Sequence, residues 1–227
     1  MRGEPRSSAG RPRLSPVAQA ADAEAATADR RAALRLVPVS RETERRLASY
    51  VDLLIKWRRS TNLVSTSTLA SIWTRHVADS AQLLALAPSA KRWIDMGTGA
   101  GFPGLVIAIQ LADVPGAVVH CIESDRRKCA FLRQAVRETH ARAIIHERRV
   151  ESVGVAATGP VDAVTARAFA PLPLTLELAN PWLERGAVGI FPRGQQFKAF
   201  LVPVNYKMEL IPSVVDKKAA IIRVRIS

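Results

Sequence analysis

The segment Asp95-Met96-Gly97-Thr98-Gly99-Ala100-Gly101-Phe102-Pro103-Gly104 sets the architecture of this chain. Trp93-Ile94-Asp95-Met96 reads as a short strand running into its glycines. A longer apolar run, residues 103–111, follows and reads as a helix, with Pro103 suited to the first helical turn. Glycines between a strand and a helix let the backbone approach a ligand closely, and the helix start offers unpaired N–H groups. A turn without a ligand has no need of four glycines in eight residues.

The flanking sequence continues the alternation. Strands are predicted at residues 117–123, 143–146, 161–165 and 186–191, and helices at 127–140 and 172–184. Residues 206–211 and 219–226 read as a closing hairpin. Upstream, Ser40 followed by Glu42 and Glu44 marks a helix start. A second helix is predicted over 68–86, with His76 on its apolar stripe, after a polar turn at 60–63. The expected fold is α/β: a Rossmann-like core at 89–227, with a mainly parallel sheet, an antiparallel C-terminal edge and a small helical cap at 39–88. Residues 1–38 are rich in Ala, Arg, Ser and Pro and are expected to be a disordered tail, with at most a transient helix at 17–33.

Lys and Arg number 33 against 20 Asp and Glu, a formal charge of +13. Such a surplus points to a polyanionic partner, nucleic acid first. Arg126, Arg127, Lys128 and Arg133 are candidates for that surface, although a solvated helix face explains them equally. Cys121 and Cys129 form no CxxC pair, and the four histidines show no i, i+4 spacing, so no metal is expected. No apolar run reaches the length of a membrane span, and the N-terminus lacks a secretory h-region. A cytoplasmic protein without a membrane partner is expected.

Two cofactors compete for the glycine loop. Gly99, Gly101 and Gly104 satisfy GxGxxG, the dinucleotide fingerprint, with Glu123 placed as a ribose-binding acid. Asp95, Gly97, Gly99 and Gly101 satisfy acid-x-Gly-x-Gly-x-Gly, the S-adenosylmethionine pattern. A carboxylate at Asp95 suits a ligand carrying an ammonium and a sulfonium better than a pyrophosphate. Pro103 removes an N–H that a diphosphate would use. Glu123 serves either ligand. Val150 and Glu151 are candidates for the adenine edge. Arg167, at the end of the fourth strand, is a candidate for a carboxylate or an RNA phosphate.

Methyl transfer from a sulfonium to a nucleophile with a free lone pair needs alignment more than a general base. Ala166-Arg167-Ala168-Phe169 is not an Asn/Asp-Pro-Pro-aromatic motif of the kind used on exocyclic amines. Neither cysteine lies in a loop suited to covalent attack on a pyrimidine. No catalytic residue is assigned, and a ring nitrogen such as purine N7 suits so sparse a site.

Several blocks, in order, resemble the small-subunit ribosomal RNA guanine-N7 methyltransferases, also called glucose-inhibited division protein B. They are Asn62-Leu63, Arg75-His76-x-x-Asp79-Ser80, the glycine loop with its Phe-Pro-Gly ending, and Ile122-Glu123-Ser124 with Lys128 and Phe131-Leu132-Arg133. Arg149-Val150-Glu151 and Ala166-Arg167-Ala168 follow. The resemblance implies a Rossmann-like class I methyltransferase fold, S-adenosylmethionine as cofactor, and N7 methylation of guanine 527 in 16S rRNA. The expected form is a monomer acting on that RNA or on the small subunit. Gly97, Phe102, Val150, Glu151 and Arg167 would then contact the cofactor, and Arg75, His76, Arg167 and Arg193 are substrate candidates. Arg193-Gly194 departs from the family's usual Lys-Gly, and the N-terminal tail lies outside the resemblance. A nicotinamide-dependent oxidoreductase and a non-catalytic RNA-binding assembly protein remain the alternatives.

Overall fold

The computed structural model describes residues 16–58, 60–194 and 205–227, with side chains from residue 23 onward. Helix α1 (Pro16–Leu36) precedes α2 (Arg41–Trp57). Ser40 caps α2 by accepting from the Thr43 N–H at 3.1 Å, and Glu42 and Glu44 occupy its first turn. Leu47, Tyr50, Val51 and Leu54 form its buried face. Each such side chain contributes about 1.5–3 kcal/mol on leaving water.

The disordered tail expected through residue 38 does not hold for residues 16–36. The later turns of α1 pack on the cap, and Ala33 is buried. Asp29 and Arg30 provide the polar anchors described below. The compositional argument failed because small alanines bury well against a neighbour even though they cannot form a core alone. Residues 1–15 lie outside the described residues.

The single helix expected at 68–86 is also corrected. The chain instead makes a 3-10 turn (Thr66–Ser71), a π-helical stretch (Trp73–Ala78), one α-turn, α3 (Asp79–Ala81), and another 3-10 turn (Gln82–Leu86). Hydroxyls interrupt the regular ladder: Thr68 Oγ1 donates to the Ser65 carbonyl and Ser80 Oγ to that of His76.

Strand β1 (Arg92–Met96) runs into the glycine loop and α4 (Gly104–Gln110). Then come β2 (Val118–Glu123), α5 (Arg126–Thr139) and β3 (Ala143–Glu147). Asp125 caps α5 through the Lys128 N–H at 3.0 Å. A 3-10 turn (Val150–Ser152) and the short α6 (Val155–Thr158) lead to β4 (Ala163–Thr165). The chain ends in α7 (Leu172–Leu183), β5 (Val188–Arg193), β6 (Tyr206–Pro212) and β7 (Ala220–Ile226).

The seven strands are ordered β3-β2-β1-β4-β5-β7-β6. The first five are parallel, while β7 is antiparallel to both β5 and β6. One core packs α2, the 72–84 segment, α4 and α5 against one sheet face, and α7 with residues 150–164 covers the other. Strand order turns outward from β1 in both directions. The ends of β1, β2 and β4 therefore open onto the crevice where open α/β sheets bind ligands.

Candidate active site

The glycine loop is held from beneath. Asp95, the residue before the end of β1, is 0% exposed. Its Oδ2 accepts from Thr98 Oγ1 at 2.5 Å and from the Gly104 N–H at 2.7 Å, while Oδ1 has no partner. Burial pushes its carboxyl up to about 7, with the two hydrogen bonds opposing the shift. Asp95 thus lies below the loop, where its two hydrogen bonds fix the loop's shape. A Cβ on Gly104 would lie 2.6 Å from Asp95 Oδ2, so this brace requires glycine there. Tyr50 of α2 adds a second brace, donating to the Ala100 carbonyl at 2.6 Å.

The loop's upper side differs along its length. Gly97, Gly99 and Gly101 all have positive φ. A Cβ on Gly97 would meet the Phe169 ring at 2.3 Å, whereas one on Gly99 would approach only the Gly97 carbonyl, at 3.9 Å. The chain thus leaves open space above Gly99. Glu123, at the end of β2, borders it. One carboxylate oxygen accepts from the Gly99 N–H at 3.0 Å and the other from the Asp125 N–H at 2.8 Å. Each oxygen keeps a further lone pair. Val150 packs into the core and Glu151 is exposed on the following turn.

Arg167 joins this loop to the helical cap. Its guanidinium lies 5.3 Å from the centroid of the Phe102 ring. It donates to the Arg75 carbonyl at 3.2 Å, Asp79 Oδ2 at 3.3 Å and His76 Nδ1 at 2.8 Å. Because guanidinium only donates, His76 Nδ1 is the acceptor and the ring proton sits on Nε2. His76 also stacks on Phe102 at 5.0 Å. Burial, reinforced by Arg167 and Arg75, lowers its pKa to about 4. Burial raises Asp79, opposed by Arg167 and by Gln82, whose Nε2 donates to Asp79 Oδ1 at 3.0 Å.

A cleft of about 630 Å³ opens beside this cluster. Thr74, Arg75, His76, Asp79, Arg167 and Arg193 line it together with part of the 213–221 segment. Arg193 ends β5 and is anchored inward. Its terminal nitrogens donate to the Ala170 carbonyl at 2.9 Å and to Thr175 Oγ1 at 3.1 Å. Arg126 and Arg133 both pair with Glu147, and Arg127 is exposed within reach of the charge of Asp125. Burial pushes the Cys121 thiol well up and that of Cys129 to about 11, so neither is a nucleophile.

Sequence reasoning missed Tyr50, Asp29 and the 213–221 wall. Tyr50 falls on the apolar stripe of α2, where its hydroxyl gave no separate signal. The others meet the site across long separations that no local pattern encodes.

A sequence profile of the GidB family, described as rRNA small subunit methyltransferase G, matches residues 43–216. The chain is 51% identical over 185 residues to the ribosomal RNA small subunit methyltransferase G of Nitrobacter hamburgensis, covering 82% of this chain and 71% of that one. It is 48% identical over 191 residues to the protein of the same name from a Bradyrhizobium species, covering 84% and 86%. Among solved structures, a methyltransferase of Podospora anserina with SAH bound aligns with a TM-score of 0.53 at 14% identity, covering 84% of this chain and 98% of that one. A mutant of MtNAS in complex with S-adenosylmethionine aligns with a TM-score of 0.51 at 13% identity, covering 93% and 90%. These likenesses place the fold in the Rossmann-like class, and on the sequence matches the chain belongs to the rRNA small subunit methyltransferase G family.

Proposed function

We propose that this protein methylates N7 of guanine 527 in 16S rRNA, acting as a cytoplasmic monomer on the RNA or the small subunit. The methyl donor is S-adenosylmethionine, which supplies an electrophilic methyl group on a sulfonium. The residues fit it. The open side of Gly99 accommodates a ligand against backbone, and the spare lone pairs of Glu123 suit the vicinal hydroxyls of a ribose. Gly97, Gly101 and Phe102 shape the loop, Asp95 braces it, and Val150 and Glu151 border the adenine side. The cleft beside Arg167 takes the acceptor base, with Arg75 and Arg193 supplying positive charge towards phosphate.

The observation that carries N7 is the state of His76. Arg167 occupies its Nδ1 lone pair, and its low pKa keeps the ring neutral. Asp79 in turn already accepts from Arg167 and Gln82. These groups orient a base rather than remove a proton from it. That favours a nucleophile with its own lone pair, as guanine N7 has, over an exocyclic amine or a ribose hydroxyl. The test is transfer from labelled S-adenosylmethionine to small subunits of a strain lacking the modification, followed by nuclease digestion and mass spectrometry. Label in 7-methylguanosine at position 527 is expected. Label on an exocyclic amine or a ribose would overturn the reading.

A further inference from the structure

The π-helical stretch Trp73–Ala78 carries Arg75 and His76 into the cleft, yet its own N-terminal residue offers no side-chain cap. A π-helical turn inside a helix is rare and is usually tied to a functional site. Here its first amides are held from another element. Asp29 of α1 accepts from the Trp73 N–H at 2.8 Å and the Thr74 N–H at 3.3 Å, and the Thr74 hydroxyl also donates to it. The adjacent Arg30 lies 5.0 Å from the centroid of the Trp73 ring and pairs with Glu44 of α2 at 2.7 Å. Ala33, one turn on, is 2% exposed. Thr74 itself lines the cleft. The family profile begins at residue 43, so none of these α1 residues belongs to it.

We propose that Asp29 is a positioning residue for the acceptor base: by clamping the amides of Trp73 and Thr74 it fixes the wall that presents Arg75, His76 and Asp79 to Arg167. The inference rests on reading this cleft as the acceptor side. The clamp is strong because a carboxylate takes three donors at once, and charge-assisted bonds are the stronger kind. Without it two amide N–H groups in a part-buried place lose their partners. The wide turn then has no reason to keep its register, and the guanidinium of Arg167 loses its partners' fixed positions. The glycine loop touches this wall through Phe102, but Asp95, Tyr50 and Glu123 hold its backbone from other elements.

The experiment compares wild type, Asp29→Ala, Asp29→Asn, His76→Ala and the Asp29→Ala/His76→Ala pair. For Asp29→Ala, kcat/KM for small subunits falls about tenfold, the size expected for losing bonds to a charged group. Affinity for S-adenosylmethionine by calorimetry stays within about twofold of wild type. Asp29→Asn, which keeps one acceptor oxygen, recovers part of the loss. In the His76→Ala background, Asp29→Ala has little further effect, because both changes disable one wall. Amide hydrogen exchange accelerates at residues 73–79 and not in α4 or α5. Unchanged exchange at 73–79 overturns the clamp, as does unchanged kcat/KM in Asp29→Ala. A parallel fall of donor affinity, kcat/KM and melting temperature also overturns it, since α1 would then merely support the fold. Wild type inactive on small subunits sinks the functional reading instead, and hydrogen exchange still judges the clamp.

Discussion

The donor loop and the cleft wall are neighbours built in opposite ways. The loop closes largely on itself: Thr98 and Gly104 bond to Asp95, and the Gly101 and Phe102 amides bond to the Thr98 carbonyl. The wall closes across the chain. Thr74 meets Asp29 45 residues away, Asp79 meets Arg167 88 away, and Gln82 meets Ser213 131 away. A site made of local bonds keeps its shape when its surroundings loosen. A wall tied by side chains remote in sequence depends on each of those ties. Damage to the wall should therefore impair use of the RNA while sparing donor binding, whereas damage to the loop should abolish both.

The sharpest way to break that contrast is Gly97→Val. The position has φ of +67°, and a Cβ there would enter the Phe169 ring. Left-handed backbone costs a branched residue about 1–2 kcal/mol before the collision is counted. Donor affinity by calorimetry should fall roughly tenfold to hundredfold, and methyl transfer with it. Retained affinity would mean that the loop is more pliable than its bonding suggests.

Next in size is a pH effect on the wall. His76 titrates at about 4 in the folded protein, below its ordinary 6.5, because burial and then Arg167 and Arg75 disfavour the cation. Its stabilising contribution is fully present above pH 6.5 and is lost as pH falls through about 4. Each pH unit in that window costs up to about 1.4 kcal/mol. Burial lowers His120 in the same direction, also to about 4, and lowers its neighbour His146 too, so wild type carries these losses as well. Denaturant unfolding from pH 7 to 4 should show a smaller loss in His76→Gln, whose amide oxygen still accepts from Arg167. Parallel profiles would remove His76 from the account.

Gln82→Ala cuts the tie between the cap and the 213–221 segment. Gln82 donates to Ser213 Oγ at 3.1 Å and accepts from the Val214 N–H at 3.0 Å. Leaving these groups unsatisfied costs about 1–3 kcal/mol. KM for small subunits should rise with donor affinity unchanged. Smallest is Tyr50→Phe, which strips one bond from the Ala100 carbonyl and should cost about 0.5–1.5 kcal/mol in a melting experiment, with a modest loss of donor affinity.

The same contrast explains what was readable beforehand. The loop, the strand ending at Glu123 and the order of βα units follow from short-range pattern: glycine spacing, apolar runs and a cap such as Ser40. The wall does not. Hydroxyls and a remote carboxylate break the helical stripe at 68–86 into turns, and nothing in that stripe announces Asp29. Alanines made α1 look too poor in large apolar groups to be ordered, although Ala33 needed only a surface to pack on. Asp95 was recognised as belonging to the motif, but its burial beneath the loop depends on Gly104 and Cys121 lying close to it. That is a fact of packing and not of spacing.

Strand β7 follows every other described strand in the chain yet lies inside the sheet, between β5 and β6. During vectorial synthesis β5 therefore has a bare edge until residues 220–226 emerge, and bare edges invite mispairing. Ala220 and Ile221 of the same strand also line the cleft. The strand that follows all the other described strands in the chain therefore completes both the sheet, with Ile222 and Val224 fully buried, and one side of the cleft.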